Sequence, residues 1–299
     1  MNKKYFTELI LITCTNDSNN IKNWINWHES LGFEHIIIID NDSTCDIKKI
    51  ITDLNYKNID YIKITGSISQ EDIYNFYVNN SNSFWVLPLD DDEYLCVNQN
   101  INDLLISAYN KYKSFKFSFP WAMMYSNELL KNTDKSYLEA FQYVDINNKN
   151  INIKTIVNTL IKHYYGAGEK HSEINKTVEE IEYDKINAWN NYENITIDRI
   201  GTVHNPLSKY NNTYFHSYNI NDINDPILCC GFYSNSILKL DTNFILHFKY
   251  RTIDDWNYKL NIRNKFNSCK WYYKLNNCDE IYNAYKTVKL KKMELKKYV

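Results

Sequence analysis

Glycine and proline are scarce, at 6 and 4 residues in a chain of 299. So few of them leave no Gly-, Pro- or Ser-rich linker, and no internal repeat stands out. The chain therefore reads as one large domain, or one domain with a smaller appendage. A glycine-rich phosphate loop is also missing, since the segment after the first apolar run, TCTNDSNN (Thr13 to Asn20), contains no glycine. A loop that wraps a triphosphate with its backbone is thereby disfavoured.

Cysteine knuckles for a metal are absent too. Seven cysteines cannot all pair within one chain, and the close pair Cys229-Cys230 is adjacent rather than spaced Cys-x-x-Cys. They are expected to be reduced thiols, as in a cytoplasmic protein. Charge of either sign is not in excess: Lys+Arg 34 against Asp+Glu 36 gives -2, so no basic field favours nucleic acid. No stretch approaches the roughly 20 apolar residues of a membrane span. The apolar run behind Lys3 and Lys4 is short and suits a buried first strand better than a secretion signal. The basic C-terminal stretch KTVKLKKMELKKYV offers a peripheral contact with an anionic membrane surface, although a solvated helix face is the plainer reading.

What is present is an alternation. ELILITC (Glu8 to Cys14), EHIIIID (Glu34 to Asp40), IDYIKIT (Ile59 to Thr65) and FWVLPLD (Phe84 to Asp90) are unbroken apolar runs of strand length. Between them lie helical patterns. The first has Ile21, Trp24, Ile25, His28 and Leu31 on one face and Gly32 as its stop. The second, CDIKKIITDL, is preceded by Asp42, Ser43 and Thr44 as caps, and SQEDIYNFYVNN is the third. Strand-helix alternation with Ile/Val-rich strands predicts a mostly parallel sheet flanked by helices. Beyond Asp90 the alternation stops. SFKFSFPW and DRIGTVHNP are expected strands, residues 125–195 look polar and irregular, and from Thr252 onward the chain looks helical.

WVLPLDDDEYLCV (Trp85 to Val97) ends an apolar run in four carboxylates. Adjacent carboxylates repel and are costly to desolvate unless a cation lies among them. In an open parallel sheet, ligands bind outside the carboxyl ends of the strands. Thr13, Asn41 and Asp90 to Asp92 all fall at such ends. Hard oxygens there suit Mn²⁺ or Mg²⁺, and Mg²⁺ commonly binds through one or two carboxylates plus substrate phosphates. A solvated acidic turn is the plainer alternative.

At this point the residues resemble a family. TNDSNNIKNWINWHESLGFEHIIIIDNDSTCD is similar to the opening of the family 2-like and family 92 glycosyltransferases, and WVLPLDDDEYL to their Asp-x-Asp-Glu-Phe block. FSFPWAMMYSN, KTIV, GTVHNP and ILHFKYRTIDDWNYKLNIR resemble later blocks in family order. Asp17, Asn23 and Phe248 depart from the pattern.

The resemblance implies a GT-A (Rossmann-like) fold with a helical C-terminal extension. Residues 1–250 would form the transferase domain, with 1–97 the nucleotide half and 98–250 the acceptor half, and 251–299 the helical segment. It implies metal-dependent, inverting transfer from a nucleotide-sugar, with a UDP-sugar expected, to a glycan or other hydroxyl acceptor. On this reading Asp90, Asp92 and His204 are the expected metal ligands, with His247 competing for the third place. Thr13, Asn16, Asp17, Asn41, Asp90 and Asp91 would bind the nucleoside, and Lys154, Lys249 and Arg251 the diphosphate. Trp121 would stack on an acceptor sugar, and Glu139, Glu128 and Asp222 are alternative catalytic bases. A non-catalytic binding module of the same shape is the rival.

Overall fold

The structure is a computed structural model describing residues 3–66, 70–145, 153–165, 206–210, 213–215, 217–227, 243–266 and 279–293. Its N-terminal part alternates as the apolar runs require: β1 (Tyr5–Thr13), α1 (Ser18–Ser30), β2 (His35–Asn41), α2 (Ile47–Leu54), β3 (Ile59–Ile64), α3 (Gln70–Asn80) and β4 (Ser83–Asp90). β5 (Glu93–Cys96), α4 (Ile101–Tyr112), β6 (Lys116–Tyr125), the single turn α5 (Tyr137–Ala140), β7 (Tyr143–Asp145) and β8 (Ile153–Asn158) follow. β9 (Lys162–Tyr164), β10 (Leu207–Tyr210) and β11 (Thr213–Phe215) make a small antiparallel sheet. β12 (Ser217–Asn219), β13 (Asp222–Ile227), β14 (Phe244–His247), α6 (Ile253–Phe266), α7 (Asp279–Thr287) and β15 (Leu290–Lys292) complete the described elements.

The main sheet runs β13-β12-β6-β8-β4-β1-β2-β3. β3, β2, β1 and β4 are mutually parallel, in the 3-2-1-4 order of a doubly wound sheet. Both faces of this half are buried, which is why its strands are continuously apolar rather than alternating. Leu9, Leu11, Ile36 and Ile38 pack with Ile21, Trp24 and Ile25 of α1. Ile10, Ile37 and Ile39 pack on the opposite face with Ile73, Tyr74 and Val78 of α3. The chain is thus an α/β fold, a central sheet flanked by helices.

The second half is mixed. β8 lies antiparallel between β4 and β6, and all six of its residues are buried. A polar, irregular middle was expected here, and the structure corrects it. Lys154, Thr155 and Asn158 disguise a central strand because each finds its polar partner inside the fold: the Lys154 ammonium meets acids, and Thr155 bonds Ser118 at 2.7 Å. β14 pairs antiparallel with β5 and parallel with β6, setting His247 opposite Glu93. The expected strand DRIGTVHNP lies outside the described residues except for Pro206.

α2 is capped differently from the expectation. Its N-cap is Asp46, which accepts from the Lys49 N–H. Asp42 instead takes a left-handed φ of 60°, and the Ser43 hydroxyl accepts from the Thr15 N–H, tying the β1 and β2 ends together. Gly32 follows α1 at φ 92°, a conformation that favours glycine, and a Cβ there would fall 2.1 Å from Asn100 Nδ2 and push that side chain aside. The C-terminal segment is not purely helical. β15 pairs with β7, and Met293 joins the main core.

Among the described residues, no helix is long and apolar enough to cross a membrane, and Cys14, Cys45 and Cys96 are unbridged.

Candidate active site

The parallel strands end at one level. Ile12 pairs with Asp90, Thr13 with Asp40, and Asn41 with Ile64. The order reverses between β1 and β4, and it is at the carboxyl ends beside such a switch point that open α/β sheets bind ligands. The turn from β4 to β5 places Asp90 to Glu93 at that switch point.

Helix α1 holds the turn. The Trp24 indole N–H donates to the carbonyls of Asp90 (3.2 Å) and Glu93 (2.8 Å), and the Trp27 indole to that of Leu95 (2.7 Å). Asn20 Nδ2 donates to the Asp91 carbonyl at 2.8 Å, and Tyr94 donates back to Asn20 Oδ1 at 2.6 Å. His28 Nε2 accepts from the Leu95 N–H while Nδ1 contacts the Trp24 carbonyl. A neutral ring with its proton on Nδ1 satisfies both bonds. Burial pushes the His28 pKa down to about 3, consistent with that neutral form. The sequence pattern places Trp24 and His28 on the apolar face of α1; the structure shows that their polar atoms also hold the backbone of the acidic turn and of β5.

Each acid has a distinct environment. Glu93 is fully buried and meets Lys154 Nζ at 3.1 Å, and its Oε2 also accepts from the Asp90 N–H. Burial pushes its carboxyl up to about 8, against the pull of Lys154. Asp90 is 30% exposed, with Lys154 Nζ at 3.3 Å and Gln70 Nε2 at 2.7 Å. Asp91 accepts from the Thr13 hydroxyl at 3.1 Å. Burial pushes the Asp91 carboxyl up to about 6, against the pull of Arg251 and with the push of Asp92. Asp92 is 1% exposed, with His247 Nε2 at 3.6 Å from one oxygen and Lys259 Nζ at 2.5 Å from the other. Burial alone would raise its pKa, but Lys259, His247 and Arg251 together hold it well below the usual range.

The structure brings some expected residues together and separates others. His247 stands beside Asp92, with the Trp121 ring edge-on at 4.0 Å, whereas His204 lies outside the described residues. Lys154 is 1% exposed and enclosed by Asp90 and Glu93, a counter-ion behind the turn. Arg251 is buried, donates to the Tyr137 hydroxyl, and feels Asp91 and Asp92. Lys249 lies over the Tyr250 ring at 4.8 Å. Asp17 caps α1 through the Asn20 N–H, and Asn16 is exposed. Asn41 Oδ1 is buried without a hydrogen-bond partner among the described residues. Glu128 is exposed on the loop after β6. Glu139 is exposed too, with its carboxylate accepting from the N–H and hydroxyl of Ser136 as a cap for α5. Asp222 begins β13, at the sheet edge beyond β12. Lys259 was named in no role. Its signal in the sequence was only a place in the closing block DDWNYKL.

As a divalent-ion site, the arrangement supplies a pair of donors, Asp92 and His247. Among the described residues no group of three or more His, Cys, Asp and Glu gathers that could hold an ion. Two protein donors fit an ion whose remaining ligands come from substrate oxygens or water.

No protein-family profile matches the chain, and no curated protein matches it. Among solved structures, TarS 1–349 from S. aureus is 17% identical with a TM-score of 0.36, covering 52% of this chain and 47% of that one. TarS 1–349 in complex with UDP is 16% identical with a TM-score of 0.35, over the same shares. The 4-diphosphocytidyl-2C-methyl-D-erythritol synthase of Anaerococcus prevotii is 14% identical with a TM-score of 0.31, covering 65% of this chain and 79% of that one. The match spans less than half of the TarS chain. Likenesses at this level identify no family, and the fold assignment rests on the strand order itself.

Proposed function

We propose that this chain is a glycosyltransferase that moves a sugar from a nucleotide-sugar, a UDP-sugar in the first instance, to a hydroxyl acceptor such as a glycan. The observation that carries the reading is the acidic turn at the switch point, with Asp92 flanked by an imidazole and by basic side chains from the C-terminal segment. A nucleoside diphosphate is the ligand such a site suits: base and ribose against the β1 and β2 ends, phosphates against the cations. A donor group on the base would satisfy the buried Asn41 Oδ1.

Asp92 and His247 would hold a Mn²⁺ or Mg²⁺ ion, and Asp90 would face the ribose or the ion's water. When bound, such an ion supplies charge stabilisation to the departing diphosphate. His247 is suited to ligation because burial lowers its pKa and favours the neutral ring. Arg251 contributes fixed positive charge. Trp121, packed on His247, would help to shape the acceptor side. A triphosphate-binding nucleotidyltransferase is disfavoured because residues 14–17 after β1 (Cys-Thr-Asn-Asp) carry no basic side chain.

An inverting transfer needs a carboxylate to take the acceptor proton. Glu128 is carried forward for that role. Its loop runs beside the start of α6, where the Ile253 N–H bonds the Leu130 carbonyl, whereas Glu139 is engaged as a cap. Glu128→Gln should abolish transfer while leaving nucleotide binding intact; equal loss of both would remove it as the base.

The deciding experiment is calorimetric titration of UDP, GDP and CDP with Mn²⁺ and with EDTA, repeated on Asp92→Ala. Metal-dependent binding of UDP that is lost in the variant is expected. Absence of binding by all three nucleotides would overturn the transferase reading and favour a non-catalytic module.

A further inference from the structure

Three cations meet the acidic turn, and they differ in what they have left to give. Lys154 is 1% exposed and shared between Asp90 and Glu93. Arg251 is buried and bonded to Tyr137. Lys259 is different: its side chain is 23% exposed, and its ammonium donates to Asp92 Oδ2 at 2.5 Å. An ammonium has three N–H donors, and among the described residues Asp92 is the one acceptor bonded to this one. Two donors therefore remain, on a cation already fixed at the acidic turn.

The element that delivers Lys259 is placed for the same task. Helix α6 starts from the loop after β6, through the Ile253 and Asp254 N–H groups bonded to the carbonyls of Leu130 and Lys131. Further along the helix, the buried Tyr258 hydroxyl has Thr44, Cys14, Cys45 and Asp91 as neighbours, and burial raises its pKa. These neighbours follow β1 and β2 or belong to the acidic turn, and the Lys259–Asp92 bond fixes this part of α6 beside that turn.

We propose that Lys259 is the cation that receives the donor's diphosphate, with Asp92 as its tether: Asp92 Oδ2 holds one N–H, and the other two face the phosphate oxygens. The inference rests on the nucleotide-sugar reading and moves the diphosphate contact from Lys154, sealed behind the turn, to a residue of the C-terminal helix. As the acceptor oxygen bonds to the anomeric carbon and gives its proton to the carboxylate base, the bond from that carbon to the phosphate oxygen breaks and its electron pair stays on that oxygen. A fixed ammonium stabilises the charge that develops there.

The test compares UDP with UMP, titrated in the presence of Mn²⁺ into the full-length chain, into Lys259→Met and into Lys259→Arg. Charge-assisted hydrogen bonds of this kind predict a loss of roughly ten- to a hundredfold in UDP affinity for Lys259→Met. UMP affinity should change several times less, and Lys259→Arg should recover most of the UDP affinity. Unchanged UDP affinity in Lys259→Met would overturn the proposal. Equal losses for UDP and UMP would also overturn it, since they would mark Lys259 as a support for α6. Failure of the wild type to bind UDP, GDP or CDP is a separate outcome, and it would overturn the underlying transferase reading.

Discussion

A lysine with 1% exposure is tolerated only where charge and hydrogen bonds replace water, and Lys154 meets that condition through Asp90 and Glu93. Lys154→Met should destabilise the protein by about 3–5 kcal/mol at pH above 8, where it leaves the buried Glu93 carboxylate uncompensated. The loss should shrink at acid pH. The Glu93 pKa is raised to about 8, so the folded state holds that proton more tightly than the unfolded chain. Its contribution therefore favours folding at low pH and fades as pH rises through 8. Urea unfolding at pH 5.5 and 8.5 checks this; equal losses at both would show that charge is not the cause. His28 has the opposite sign. Its pKa is lowered to about 3, so its contribution is present above the unfolded value near 6.5 and is lost as pH falls toward 3. His28→Gln keeps a donor and an acceptor but cannot take the proton. It should flatten the fall in stability between pH 6.5 and 4.5 by up to ~1.4 kcal/mol per pH unit, whatever its effect at pH 7.

At the scale of elements, α1 acts as a clamp on the β4–β5 turn as well as a core helix. Its apolar face was visible as a 3.6-residue period, which is a property of local spacing. Its hydrogen bonds to the turn were not visible, because they join residues about 70 positions apart, such as Trp24 and Glu93. Trp24→Phe preserves most of the packing and removes the indole donor from two carbonyls, at a cost of about 1–3 kcal/mol. On the proposed function it should also weaken UDP binding, since the carboxylates sit on that backbone. Full UDP affinity in a destabilised Trp24→Phe would separate the clamp from the site. β8 shows the opposite limit of pattern reading. With Lys154, Thr155 and Asn158 among six residues it carries little strand signal, yet it lies at the centre of the sheet because Lys154 and Thr155 are satisfied by neighbours distant in sequence and Asn158 by the Leu160 N–H.

For the molecule as a whole, the C-terminal segment is part of the fold. Trp256 and Ile281 are buried, the Ser126 N–H bonds the Tyr285 hydroxyl at 3.2 Å, and β15 covers the edge of β7. A chain ending at residue 288 keeps α6 and α7 but loses β15 and Met293. It should melt several degrees lower in one cooperative transition, followed by circular dichroism. An unchanged midpoint would mean that β15 adds nothing. The same packing carries Arg251 and Lys259 to the acidic turn, so the site is assembled from both ends of the chain.

The sequence by itself determined the parallel half-sheet, its flanking helices and the gathering of acids at a strand end. Each follows from local periodicity, from the burial of both sheet faces, and from the rule that puts ligands at carboxyl ends. Only the tertiary structure decided which cations answer those acids, that His247 faces Asp92, and that Lys154 is enclosed while Lys259 stays partly exposed. Those outcomes depend on strand register and on the path of α6. They come from packing between residues 64 positions apart, as with Asp90 and Lys154, to 167 apart, as with Asp92 and Lys259, and no local pattern encodes them.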